Sequence, residues 1–415
     1  MKMKSKKNLQ TLLKFSQIVF LTAFITTPAH AIKFHGPIVV DDAYIRKHGN
    51  VISGNYQGTN TEAAVTIVTP ANVTITNSTL SGPSDLIQAV IDPANVTVTN
   101  TTGIGTNPNV RGVQKGIFLH VDTFSSITMQ NNTIQGMRLG FFCNGYDGDL
   151  TTDNTLVIDN NVFTNVDARP SDGKGAYETT GQYNGQAVHL GYVNGVPGMD
   201  IGWNEVMNTA NQSSTGVLIE INESGGTSSS PMSIHDNFIS GAFPSYPGRD
   251  LYAFGGIEIN GAVDDSPASA SAYINITNNR VVATANFGIR IAAGNNITAT
   301  ANRVVSSGFL TTGGFYPMST YGDPFGAVNA NIYNQPATVF FNNNFSNNIL
   351  GLIKNNGSKQ PVRSDWSLDG QGGSVNGNTN YLPNDSADPT IADEQQEFID
   401  WQNSNLAHHI TVGAK

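Results

Sequence analysis

The sequence predicts an all-β chain, a right-handed parallel β-helix in which a single-stranded solenoid repeats a rung of about 23 residues. Three observations carry this. One short pattern, apolar-x-apolar-x-Asn/Asp-Asn-x-apolar, returns through most of the 415 residues. Charged residues make up only 13% while Gly reaches 43 residues beside abundant Asn, Thr, Val and Ile, a balance that favours strands and turns over helices. Cys143 is the one cysteine, so no internal disulfide holds the chain and a stacked core must do so.

Taken from the start, residues 1–31 read as a signal peptide. Lys2, Lys4, Lys6, Lys7 and Lys14 give a basic start, Ile18 to Ile25 an apolar stretch, and Ala29-His30-Ala31 a small-x-small cleavage site. The apolar stretch is far short of the ~20 residues that span a bilayer, and no later segment is apolar enough to do so. The expected location is therefore secreted or periplasmic. Cleavage removes five lysines and no acid, so the mature chain is more acidic than the formal −10. An acidic surface argues against nucleic acid and anionic membranes, and suits sugars and divalent cations.

Residues 32–62 precede the regular pattern as an N-terminal cap region. The β-helix is expected over 63–360. Residues 361–415 lose the repeat and read as a C-terminal cap or tail, with a short helix from Ile391 to Trp401 laid across the open end, where strand edges need cover.

Within the solenoid the pattern recurs at Ile127–Ile134, Leu156–Phe163, Met199–Val206, Met232–Ile239, Ile274–Val281 and Ile297–Val304, with earlier relatives at Val73–Leu80 and Val96–Thr101. Alternating apolar residues make a strand with one face inward. The Asn pair turns the chain, because Asn tolerates left-handed backbone and bonds nearby peptide groups. Stacked from rung to rung, Asn132, Asn161, Asn204, Asn237, Asn279, Asn302 and Asn343 would form an internal ladder of amides. The closest copies, Ser78 to Thr101 and Asn279 to Asn302, are 23 residues apart, and longer spacings carry loops. On these motifs, over about residues 63 to 356, the chain resembles the pectate-lyase-like right-handed parallel β-helix superfamily.

A second strand of each rung precedes the Asn motif. Period-2 alternation places His189, Glu220, Glu258 and Arg290 outward on successive rungs, with His120 earlier in the same column. Asn222 and Asn260 stand two residues along. Long insertions on both sides of this strand would wall a groove and carry Tyr177, Tyr183, Tyr192, Tyr246, Tyr252, Phe315, Tyr316 and Tyr321. Any of these rings could stack on sugar or simply pack against the solenoid. Cys143, within Phe141-Phe142-Cys143, reads as a small buried hydrophobe, and His235 as a surface residue away from the groove.

Glu220 and Glu258 invite three readings, since like charges on adjacent rungs repel. They could hold Ca2+ with Asn222 or Asn260. They could be the acid and nucleophile of a retaining glycosidase. They could also be a solvated charge ladder neutralised by His189 and Arg290. The resemblance implies a lyase, with Arg290 or His189 as base, His120 or Arg138 assisting, and Ca2+ nearby. The expectation is an exported polysaccharide lyase or depolymerase on an acidic polysaccharide. Its catalytic candidates are His189, Arg290, Glu220 and Glu258, and its substrate contacts His120, Arg138, Asn222, Asn260, Tyr192 and Tyr252. The alternatives are a glycoside hydrolase using the glutamate pair and a non-catalytic carbohydrate-binding or adhesive solenoid.

Overall fold

The computed structural model describes residues 32–150, 155–181, 184–244, 255–261, 266–316, 325–329, 335–355, 361–363, 373–376, 378–380 and 389–415. The predicted leader, 1–31, and Tyr183, Tyr246, Tyr252 and Tyr321 lie outside the described residues. Phe34–Lys415 cluster as one unit. Its strands lie in long parallel sheets, wound in a solenoid-like arrangement compatible with a parallel β-helix.

Three ribbons run along the stack. The first ribbon contains Ile117–Val121, Leu139–Cys143, Gln186–Gly191, Val217–Asn222, Gly255–Asn260 and Phe287–Ile291, each paired in parallel with the next. The second contains Phe124–Gln130, Leu156–Asp159, Met199–Gly202, Met232–His235, Ala272–Thr277 and Asn295–Thr300. The third contains Thr133–Gln135, Val162–Thr164, Glu205–Met207, Phe238–Ala242, Arg280–Thr284 and Arg303–Ser306. Pairing reaches beyond 63–360 at both ends: Ile38–Val40 pairs with Val65–Ile67, and Thr379–Asn380 with the strand Ile349–Asn355.

The second and third ribbons meet at the Asn turn. The first turn residue is left-handed in every copy, from Asn131 (φ 54°) and Asn160 (φ 59°) to Trp203 (φ 56°) and Asp236 (φ 51°). The second is the buried ladder asparagine. Asn132 Nδ2 donates to Asn161 Oδ1 (2.9 Å), Asn161 to Asn204 (3.0 Å), Asn204 to Asn237 (2.9 Å), Asn237 to Asn279 (2.9 Å) and Asn279 to Asn302 (3.0 Å). Each Nδ2 also donates to a strand carbonyl, and each Oδ1 also accepts a backbone N–H, as at Asn204 (2.7 and 3.0 Å). All four hydrogen-bonding positions of the amide are filled, as a dry interior requires. One rung departs from the expected ladder, which continues through Asn348 and Asn378 and not through Asn343. Asn343 instead accepts from Ile297 N and donates to Gly294 O at the start of its strand. The run of asparagines there offers two turns, and both Asn342 (φ 53°) and Asn347 (φ 56°) are left-handed; only register, with Ile349 paired to Arg303, makes Asn347-Asn348 the ladder turn.

Inside, like residues stack on like: Leu119, Phe141, Val188, Ile219, Ile257 and Ile289 on one wall, and Met129, Ile158, Ile201, Ile234 and Ile276 on another, all buried. Cys143 belongs to this core beside Leu190, and burial pushes its thiol up to about 12, so it is inert packing. At the N-terminal end, helix α1 (Asp42–His48) is capped by the Asp41 side chain and brings Tyr44 and Ile45 against the same core.

Helix α2 (Ile391–Ala407) begins with a Thr390–Asp393 capping box. It does not lie across the open end. It packs on the outer flank of the third ribbon, against Arg280–Thr284 and Arg303–Ser306. Buried Glu397 accepts from Arg280 and Arg303 there, and Trp401 Nε1 donates to Asp236 O (2.6 Å). Beyond the helix the chain runs back along the Asn turns, where Gly413 N bonds Asn160 O (2.8 Å) and Ala414 N bonds Thr133 Oγ1 (3.0 Å).

Candidate functional site

The outward column of the first ribbon follows the order expected from alternation. Registers run Gln88, His120, Phe142, His189, Glu220, Glu258, Arg290 on successive rungs. Parallel stacking without register slip brings these side chains together about 4.8 Å apart along the ribbon. Asn222 and Asn260 pair with each other two residues further on.

The column divides into three groups. His120, Phe142 and His189 make an aromatic stack: His120 meets Phe142 edge-on (5.2 Å, 84°) and Phe142 lies flat on His189 (5.1 Å, 10°). His120 is also held by Asp85, Nδ1 to Oδ2 at 2.7 Å. In the middle, Glu220 accepts from Gln186 on one oxygen and from Asn260 Nδ2 (3.2 Å) on the other. His189 Nδ1 approaches Glu220 to 3.7 Å, inside ion-pair range but beyond a direct hydrogen bond, and this buried nitrogen has no hydrogen-bond partner. Burial alone would raise the Glu220 carboxyl, but His189, Asn260 and Arg290 outweigh it and hold the group below its ordinary value.

At the upper end, Glu258 is only 2% exposed and accepts from Arg290 Nε at 2.7 Å. The Arg290 guanidinium also lies over the Phe287 ring at 4.0 Å. Burial pushes Glu258 up to about 7, Arg290 opposes this, and the Glu220 charge adds to it. Two carboxylates one rung apart are thus driven in opposite directions by their surroundings.

Glu258 is paired with Arg290, and Glu220 accepts from Gln186 and Asn260, so each carboxylate of the pair has protein partners of its own. Arg138 stands outside the column, at the leading edge of the ribbon beside Asp85. Tyr192 is 55% exposed in a left-handed turn (φ 56°) just past His189. Tyr316 is buried against Phe243 and bonded to Glu394, so it packs the flank and is closed to sugar.

Sequence reasoning missed Gln186 and Asp85, which orient Glu220 and His120. Gln186 opens the strand that carries His189, three residues away, where strict alternation would turn it to the other face. It also missed a buried trio in the loops: Lys115, Asp167 and Arg169, with Asp167 only 1% exposed. Lys115 Nζ meets Asp167 Oδ2 at 2.9 Å, Arg169 Nε meets Oδ1 at 2.8 Å, and Tyr177 covers both cations. His235, expected at the surface, is wedged between Asp200 (3.1 Å) and Asp236 (2.9 Å) on the second ribbon. Burial disfavours its charge, yet the two aspartates prevail and push it up to about 10.

No family model, curated protein or solved structure matches the chain.

Proposed function

We propose that this chain is an exported polysaccharide lyase of the right-handed parallel β-helix, pectate-lyase-like kind, cleaving an acidic polysaccharide laid along the first ribbon. The observation that carries the reading is the His189–Glu220 pair set next to Arg290–Glu258 on consecutive rungs. Glu220, kept ionised by its neighbours, would stabilise the imidazolium that forms when His189 takes a proton. With Nδ1 turned to Glu220, Nε2 is the nitrogen that meets substrate. It would remove the proton α to a uronate carboxylate. The glycosidic C–O bond on the β carbon then breaks, a C=C bond forms, and the departing oxygen takes a proton from the imidazolium or from water. Arg290, fixed by Glu258 and Phe287, would balance the charge that builds on the substrate carboxylate.

A second reading is glycoside hydrolysis, favoured by the opposite displacement of the two glutamates: Glu220 ionised as nucleophile, Glu258 protonated as acid. One assay separates them. The chain is incubated with a panel of acidic polysaccharides, with and without Ca2+, and ultraviolet absorbance of unsaturated ends is followed beside reducing ends. A rise in both, abolished in His189→Ala and Glu220→Gln, supports elimination. Reducing ends without absorbance transfer the assignment to hydrolysis. Silence in both across the panel refutes catalysis and leaves a carbohydrate-binding solenoid.

A further inference from the structure

Beside the lower end of the column lies a cavity of about 370 Å³ bordered by Asp85, Gln88, Lys115 and Arg138. It shares Gln88 with the column itself and Asp85 with His120. Its charges are unevenly satisfied. Both oxygens of Asp85 are taken, one by Ile117 N–H (2.8 Å) and one by His120 (2.7 Å). Asp167, behind Lys115, is likewise filled by Arg169 and Lys115. Lys115, 5% exposed, spends one N–H on Asp167, and no other acceptor meets its ammonium among the described residues. The Arg138 guanidinium makes no hydrogen bond among the described residues, although burial presses its pKa down and Asp85 only partly restores it. Arg138, with no hydrogen bond on its guanidinium among the described residues, and buried Lys115, with one to Asp167, thus border one cavity with donors to spare, beside an Asp85 carboxylate already held by Ile117 and His120.

We infer that this cavity is an anion subsite, in which Arg138 and Lys115 receive a carboxylate or sulfate carried by the glycan in the groove. The inference rests on the proposed use of the first ribbon as a glycan track. His120 is three rungs below Glu220, about 14 Å at the usual strand spacing. The subsite thus grips a charged substituent away from the bond being broken and selects acidic chains by binding, with little direct effect on the chemical step. A planar guanidinium suits a carboxylate, and the compact ammonium beside it supplies the second charge.

The test is calorimetric binding with the full chain and three probes: a uronate hexasaccharide, its neutral carboxyl-reduced form, and a sulfated neutral hexasaccharide. Wild type should bind at least one charged probe at least tenfold more tightly than the neutral one, with affinity falling as salt is added. Arg138→Gln should weaken the charged probe by about tenfold or more, the scale of one charge-assisted hydrogen bond, and leave the neutral probe unchanged. Lys115→Gln serves as the second variant, with circular dichroism to verify its fold. Preference for the uronate or for the sulfated probe identifies the anion's source. Tight charged-probe binding that Arg138→Gln leaves intact overturns the subsite while the groove reading stands. Equal affinity for neutral and charged probes also overturns it alone. Absence of binding by all three overturns both.

Discussion

Replacing Asn204 by Ala should open the ladder at its centre. The Asn204 Oδ1 accepts two hydrogen bonds from Asn161, from its backbone N–H and from its Nδ2, both at 3.0 Å. The Asn204 Nδ2 donates to Ile158 O (2.7 Å) and Asn237 Oδ1 (2.9 Å). Asn237 Oδ1 keeps its bond from the Asn204 backbone N–H (3.0 Å), so the acceptor side is partly spared. The donor side is not, because Asn161 is fully buried and its two N–H groups lose their only acceptor there. At roughly 1–3 kcal/mol for each orphaned buried donor, the cost is about 2–6 kcal/mol. Urea titration measures it, and amide hydrogen exchange localises it, since stacked repeats need not unfold in one step. Protection should fall most at Asn161. A loss below ~1 kcal/mol, or one with unchanged exchange at Asn161, would refute the argument that the amide column holds the turns.

Three further outcomes follow from the charged clusters. His235 is raised from 6.5 to about 10, so the stability it contributes is complete below 6.5 and is lost as pH rises through 10. Thermal melts over that window should show a decline that His235→Gln flattens. Asp159 is pushed up from 3.8 to about 6, first by burial and then by the Asp200 charge, so its contribution is present below 3.8 and lost as pH rises through 6. Asp159→Asn, which can still accept from Gly202 N–H, should therefore stabilise the chain at pH 7 by about 1–3 kcal/mol, and an unchanged urea midpoint would contradict this. Glu397→Ala removes the carboxylate that Arg280 and Arg303 both meet and should loosen α2, read as its early proteolytic loss before the solenoid itself is cut.

Much of this architecture was legible in the chain because a coiled repeat translates linear period into spatial register. His189, Glu220, Glu258 and Arg290 fall on successive rungs for the same reason that Val188, Ile219, Ile257 and Ile289 stack in the core: each rung returns to the same phase of an alternating strand. The ladder was not legible from Asn343 on, where five asparagines between 342 and 348 fit the pattern and register decides between them. Lys115, Asp167 and Arg169 carried no signal. Their contact joins insertions 52 residues apart, and insertions have no period to read.

The amino-acid sequence by itself determined the strand faces, the Asn turns and the order of the outward column, because these follow from local alternation and from the tolerance of Asn for left-handed backbone. Tertiary structure alone decided what each polar side chain in that column does. Glu258 is buried and its carboxylate meets Arg290 on the next rung, a pairing that alternation along the strand does not specify. Likewise α2 could have covered an open end, but the buried pairing of Glu397 with two arginines draws it to the flank. Such choices rest on which partner a buried charge can reach without water, and that is set by the packing of segments far apart in the chain.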